Sequence, residues 1–247
     1  MARPRGGPAI IQRQARTARA RARRVKHYRQ TMVFTCGPSA LLMAMNAQDP
    51  KVRLRRGDEF ALWKEATTVF MGSKGGHGGS SALGLALAAH RRGFAVEVQC
   101  NHRDPLLITR SRKPALMEVM RLVHQRDLAA AKAAGIALRY GEIGIDAIAA
   151  KLAEGYLPLV LITCFYIHGD HTPHWIVVTG VDADGVTVND PSVALDKGKT
   201  AADMTNLRVG RDVFTKMSHY GRLKEQATGF VGPRGRSEGE QGRRTPS

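Results

Sequence analysis

Cys36 is followed at once by Gly-Pro and a run of small and apolar residues, and Gln30 lies six residues before it, in QTMVFTCGPSALLMAM. Pro38 suits the first turn of a helix, so 37–47 is predicted helical, with the cysteine at its start. Unpaired backbone N–H groups and the positive end of the helix dipole favour a thiolate there, and the thiolate is the nucleophilic form. Gly37 removes a side chain beside the sulfur, so a substrate can approach. Without partners, such a cysteine reads as a small buried hydrophobe.

The partners are what change the reading. The Gln30 amide, together with the Cys36 N–H, could hold the oxyanion of an acyl-transfer intermediate. His174, in TPHWIVVTGV, stands where a loop ends and an apolar strand begins. Asp190 closes the next apolar segment, VTVNDP, and DADG between the two is a hairpin signal. Histidine and aspartate are therefore expected as cross-strand neighbours, the aspartate holding the ring's tautomer and orientation. Asn189 should point to the opposite face and is the reserve. A glutamine, a cysteine at a helix start, a histidine at a strand start and an aspartate at the paired strand's end follow the logic of Cys-His-Asp catalysis.

Other residues invite weaker readings. GSKGGHGGSS is a glycine-rich loop without the Gly-Lys-[Ser/Thr] of a phosphate loop. Glycine lets a peptide backbone come close, so Gly37, Gly76, His77 and Gly78 are candidates to line a substrate cleft. Trp175 joins them as the neighbour of His174, although strand alternation turns its ring away from the histidine and toward the core. HGDHTPH offers His168, His171 and His174 at steps of three. That spacing has no fixed geometry in a loop, so neither a metal nor any other cofactor is expected. Cys100 and Cys164 lie in apolar segments and read as packing residues.

These residues need elements to place them. Phe60, Trp63, Thr67 and Phe70 recur at helical spacing, so 58–70 is expected as an amphipathic helix capped by Asp58. Further helices are expected over 81–92, from Pro114 to Gly135, over 144–154 and near 210–219. Strands are expected over 94–100, 136–140, 157–165, 175–181 and 186–190, and near 223–231. A helical first third followed by a mostly antiparallel last third is an α+β order.

Composition bounds the rest. The chain has 247 residues and a net charge of +17, with ten Lys/Arg and no acid within 1–29. That tail is expected to be solvated, with at most a weak polyanion contact, since no aromatic residue precedes Tyr28 to stack on a base. The three cysteines form no CxxC pair, and no export signal is visible, which fits a reducing cytoplasm. The longest apolar run, LPLVLITCFYI, falls short of the roughly 20 residues a membrane span needs.

Taken together, QTMVFTCGPSALLMAM and PHWIVVTGVDADGVTVNDP resemble the papain-like cysteine peptidases. Within them the chain is similar to clan CA family thirty-nine, best known for bacteriocin-processing peptidases. It is closer to stand-alone bacterial relatives, on LWKEATTVFM, the Gly-Gly-His-Gly-Gly loop and GLALAAHRRGF. The likeness covers 28–231 and leaves 1–27 and 232–247 as tails expected to be disordered. It implies a papain-like fold, in which an N-terminal helical part carrying the cysteine helix packs on a C-terminal antiparallel sheet. It also implies a peptide or protein substrate, with Cys36 as nucleophile, His174 as base, Asp190 as orienting residue and Gln30 as oxyanion donor. Exporter-linked members cut after a double glycine and are joined to a membrane transporter, whereas no membrane partner is expected here. Two alternatives share these residues: an acyl transferase using the same thioester, and an inactive module that binds peptides or polyanions.

Overall fold

The segment LPLVLIT has no polar residue before its last, Thr163, and it lies at the centre of the molecule. In a computed structural model of the chain, described for residues 24–71, 76–195 and 198–235, it forms the middle strand of a seven-stranded sheet. In chain order the elements are α1 (Cys36–Gln48), α2 (Arg56–Ala66), β1 (Thr67–Met71), β2 (Gly76–Ser80), α3 (Ala82–His90), β3 (Phe94–Cys100), α4 (Pro114–Ala133), β4 (Ala137–Tyr140), α5 (Ile145–Ala153), β5 (Leu157–Thr163), α6 (Phe165–His168), β6 (Pro173–Val181), β7 (Gly185–Asn189), β8 (Leu207–Gly210), α7 (Arg211–Met217) and β9 (Ala227–Arg234). The large sheet runs β4-β3-β9-β5-β6-β7-β8. Only the β3–β4 pair in it is parallel, with α4 as the crossover between those strands. The class is α+β.

Both faces of this sheet are covered. Leu157, Leu159 and Leu161 of β5 join a core with Leu41, Met43 and Leu85 from α1 and α3. Val160 and Ile162 point the other way, into a second core with Ile148 of α5 and Phe214 of α7. Side chains alternate across a strand, so a strand buried on both faces reads as an unbroken apolar run. Helix α1 is enclosed in the same way: Cys36 through Asn46 are all buried, as expected of a helix apolar all round. Among the described residues, no helix is long and apolar enough to cross a membrane.

The largest departure from the expected elements is at 58–70. Helix α2 begins at Arg56, which puts Asp58 inside the first turn rather than at the cap, and ends at Ala66. Thr67–Met71 is a strand, paired antiparallel with Gly76–Ser80. The β-branched run Thr67-Thr68-Val69 prefers extended backbone, and Thr67 and Phe70 merely fell in phase with the helical stripe. The fully buried stripe of α2 is Glu59, Leu62 and Ala66, so Trp63 is half-buried rather than core. The second half of the glycine-rich stretch is thus a strand. Strand β5 stops at Thr163, and the expected strand's last two residues turn into α6. The final strand lies later than expected, at Ala227–Arg234, and β8 had no counterpart in the sequence reading.

Candidate active site

His174 is the second residue of β6, opposite Ile162 of β5. Asp190 directly follows β7. The register pairs Val177 with Asn189, which places Asp190 level with Ile176 and diagonal to His174 on the same face. The two are diagonal neighbours rather than directly opposed, still within reach of polar side chains. His174 Nε2–H donates to Asp190 Oδ1 at 2.6 Å. The second carboxylate oxygen, Oδ2, accepts from His168 Nε2 at 2.8 Å, and the Ser192 N–H donates to Oδ1 at 2.7 Å. Asp190 is fully enclosed. Burial pushes its carboxyl up, but the charge of His174 and the hydrogen bonds from both histidines outweigh this and hold it well below the usual carboxylate range. Burial likewise disfavours a charged His174, yet the negative charge of Asp190, helped by Cys164 and Cys36, raises its pKa well above the ordinary histidine value. With Nε2 committed to the carboxylate, Nδ1 is the ring nitrogen left to meet a thiol.

Cys36 is the first residue of α1 and retains 8% exposure. No side chain caps this helix: the hydroxyl of Thr35 donates to Met32 O instead. The sulfur lies within electrostatic reach of both His174 and Cys164. The space beside Gly37 is filled, since a Cβ there would lie 3.1 Å from Ser80 Cβ, 3.2 Å from Trp175 Cδ1 and 3.3 Å from Leu85 Cδ1. Glycine at this position allows the close packing of α1 against β2, β6 and α3, where a side chain would push its neighbours back by a few tenths of an ångström. Trp175 is buried in the core on the α1 side, and its Nε1–H donates to Ser80 O at 3.1 Å. Trp63 Nε1–H donates to Gly78 O at 2.9 Å. Strand β2 is therefore pinned by two indoles beside the start of α1. Gly76 pairs with Met71 at the far end of this hairpin, and the side chain of His77 lies outside the described residues.

Gln30 reaches this end of the molecule because the N-terminal segment is laid along residues 189–191. Asn189 Nδ2 donates to Val25 O at 3.0 Å, His27 Nε2 donates to Asp190 O at 2.7 Å, and the Gln30 N–H donates to Pro191 O at 2.9 Å. Asn189 faces away from the histidines, as alternation requires, and also accepts from the Asn206 N–H. The Gln30 side chain donates from Nε2 to Met32 O at 2.9 Å, and its Oε1 is buried without a hydrogen-bond partner. The turn is anchored by Glu59, a buried carboxylate that accepts from the Tyr28 and Ser39 hydroxyls and from both the N–H and the hydroxyl of Thr31.

Two residues of this neighbourhood, His27 and Glu59, escaped the sequence reading, and two others, Cys164 and His168, were read as a packing residue and as part of an unfavoured metal cluster. The histidine cluster that does assemble differs from the one spelled by the sequence. His171 stacks on Phe165, with ring centroids 4.6 Å apart. Cys164 takes its place: its Sγ and one ring nitrogen each of His168 and His174 lie within 4.8 Å of one another. Rather than lying in a strand, Cys164 caps α6 and stands one helical turn before His168, a spacing legible once the end of β5 is known. Burial pushes the Cys164 thiol up to about 12, against the opposing pull of His174. Burial also raises Cys100, partly offset by its bond to the His102 carbonyl.

Three solved structures that the chain resembles are described as peptidases or peptidase domains. A Bacillus anthracis protein described as a C39-like peptidase is 13% identical, with a TM-score of 0.48, over 85% of this chain and 96% of that one. The peptidase domain of Streptococcus ComA, a bifunctional ABC transporter, is 14% identical, with a TM-score of 0.39, over 85% of this chain and all of the other. A double-glycine-motif protease from an AMS/PCAT transporter, solved with its leader peptide, is 13% identical, with a TM-score of 0.39, over 85% and 94% of the two chains. No curated protein matches the chain by sequence. The sequence profile of the Peptidase C39-like family matches residues 25–231, from the segment that binds Asn189 into β9, and the chain belongs to that family.

Proposed function

We propose that this protein is a papain-like cysteine peptidase acting on a peptide or protein substrate. The observation that carries the reading is the enclosed His174–Asp190 pair, 2.6 Å apart, standing in electrostatic reach of a cysteine that opens a buried helix. His174 Nδ1 takes the thiol proton and Cys36 Sγ attacks the scissile carbonyl. The Cys36 N–H and the second amide hydrogen of Gln30, the one not used on Met32 O, hold the oxyanion. The imidazolium then gives its proton to the leaving amine, and water, activated by the same ring, hydrolyses the thioester. Asp190 fixes the tautomer and keeps the ring cationic to higher pH, the form that the amine-leaving step consumes. Cys36, Cys100 and Cys164 are all free thiols, which suits a reducing compartment, and a cytoplasmic location completes the proposal.

The test is alkylation with iodoacetamide at mildly acidic pH, beside hydrolysis of a mixed peptide substrate. Cys36 is expected to react fast, while Cys100 and Cys164, whose thiols are held protonated by burial, stay silent. Equal sluggishness of all three would end the nucleophile assignment. Product analysis with an added amine separates hydrolysis from acyl transfer, since only a transferase gives the ligated amide.

A further inference from the structure

Cys164 and His168 take no part in the chemistry above, yet both lie against its base. They are one turn apart on α6, and the ligand atoms of Cys164, His168 and His174 all lie within 4.8 Å of one another. We propose that these three side chains form a binding site for a thiophilic divalent cation of the Zn2+ type, and that its occupancy switches the peptidase off by taking the His174 imidazole. One sulfur and two imidazoles are a donor set that suits zinc. Metal–ligand bonds of about 2.0–2.3 Å with tetrahedral angles put ligand atoms about 3.3–3.8 Å apart, so a small inward movement closes the site. Three protein ligands leave a fourth position for water or for another group.

The surroundings supply an independent observation. Metal-bound imidazoles commonly donate their remaining N–H to a carboxylate, which fixes tautomer and ring direction. Here one buried carboxylate, Asp190, already holds Nε2 of both His168 and His174. With Nε2 turned to the carboxylate, Nδ1 is the nitrogen through which each ring would take the metal. On binding, the Cys164 S–H bond breaks and the His174 imidazolium gives up its Nδ1 proton; both protons leave to solvent and the freed lone pairs go to the metal, so uptake is favoured by rising pH. Oxidation states do not change.

The binding half of this inference stands without the peptidase reading, and the inhibitory half rests on it. The full chain is titrated with Co2+, whose bond to a thiolate gives a charge-transfer band, and with Zn2+ by calorimetry. One equivalent is expected to bind wild type and Cys36→Ala alike. Cys164→Ser should weaken binding by more than the roughly 10–100-fold that loss of an outer-shell partner costs. Cys164→Ala is made in parallel, in case the serine hydroxyl disturbs the core. In activity, Zn2+ should inhibit wild type reversibly with a chelator, while Cys164→Ser keeps its basal rate and resists. Absence of the band in wild type overturns the site, and so does a band that survives Cys164→Ser but vanishes in Cys36→Ala, because it places the metal on the nucleophile. If the chain cleaves no peptide but the band behaves as stated, the metal site stands and only the peptidase reading falls.

Discussion

Cys36 and Cys164 both stand at the start of a helix, and both lie within electrostatic reach of one imidazole, yet they are suited to different chemistry. The helix behind Cys36 has 13 residues and is packed on all sides. The helix behind Cys164 has four, too few for a developed dipole. Cys36 is followed by Gly-Pro at the margin of the core, next to an uncapped helix start. Cys164 is followed by Phe165 and sits deep enough that its thiol is pushed up to about 12. Being near a base is thus insufficient for a nucleophile. The sulfur must also face free backbone dipoles and remain open to a substrate.

The most decisive way to break this comparison is to exchange the roles by mutation. Cys36→Ala is expected to abolish peptide hydrolysis, with a loss on the order of 10^6-fold, as for removal of other catalytic nucleophiles. Cys164→Ser should remain within a few-fold of wild type in metal-free buffer. Steady-state hydrolysis with a chelator present measures both. Comparable losses in the two variants would show that the structural distinction between the thiols is empty.

A smaller effect is expected at the carboxylate that the two histidines share. Asp190→Asn removes the negative charge and turns one of the two accepting oxygens into an NH2 donor, so one histidine loses its acceptor; this should lower kcat/KM by up to about 10^4-fold, the scale of a wrong tautomer in such arrangements. Its pH signature is more diagnostic. His174 is raised in the folded protein, so wild type should keep its imidazolium above the ordinary histidine value of about 6.5, and the alkaline limb of kcat/KM should move down in the variant. Stability follows the same signs. The raised histidine stabilises fully below about pH 6.5 and loses its contribution as pH climbs through the folded value, while the depressed aspartate stabilises above about pH 3.9 and loses its contribution as pH falls. Thermal unfolding of wild type and variant should therefore differ most between about pH 4 and 6.5. An unmoved alkaline limb would mean that the limb reports some other group.

How much of this was legible in the sequence depended on whether a residue's role is announced by its own element. Cys36, His174 and Asp190 stand at element ends marked by Gly-Pro, by a change of period and by Asp-Pro; His174 and Asp190 meet at 2.6 Å, and Cys36 lies in electrostatic reach of the ring. Glu59 was illegible because a glutamate on an amphipathic helix defaults to solvent, and its donors, Tyr28, Thr31 and Ser39, come from segments that only folding brings together. The turn that brings Cys164 to His168 was hidden by Phe165, Tyr166 and Ile167, whose apolar bulk extends the pattern of β5 although the backbone has already turned into α6. The β1–β2 hairpin was lost to a coincidence of phase, since residues 67 and 70 fit the helical stripe and the strand alike.

That hairpin gives the finest test of what separates the two cysteines. Beside Cys36, β2 is held by indole N–H groups, Trp63 to Gly78 O and Trp175 to Ser80 O, and the Trp63 ring lies 5.1 Å from that of Phe34 and 6.4 Å from that of Phe60. Beside Cys164, the wall is instead the stacked pair Phe165 and His171. Trp63→Phe keeps an aromatic ring against its neighbours but deletes the donor to Gly78, which should cost about 1 kcal/mol of stability. If β2 borders the cleft that serves Cys36, the variant should raise KM a few-fold with kcat held and slow the alkylation of Cys36 little. It should leave Co2+ binding at Cys164 untouched, because α6 shares no hydrogen bond with this strand among those described. A fall in kcat with unchanged KM would instead assign β2 to the alignment of the nucleophile, and would tie the two regions more closely than their separate scaffolds suggest.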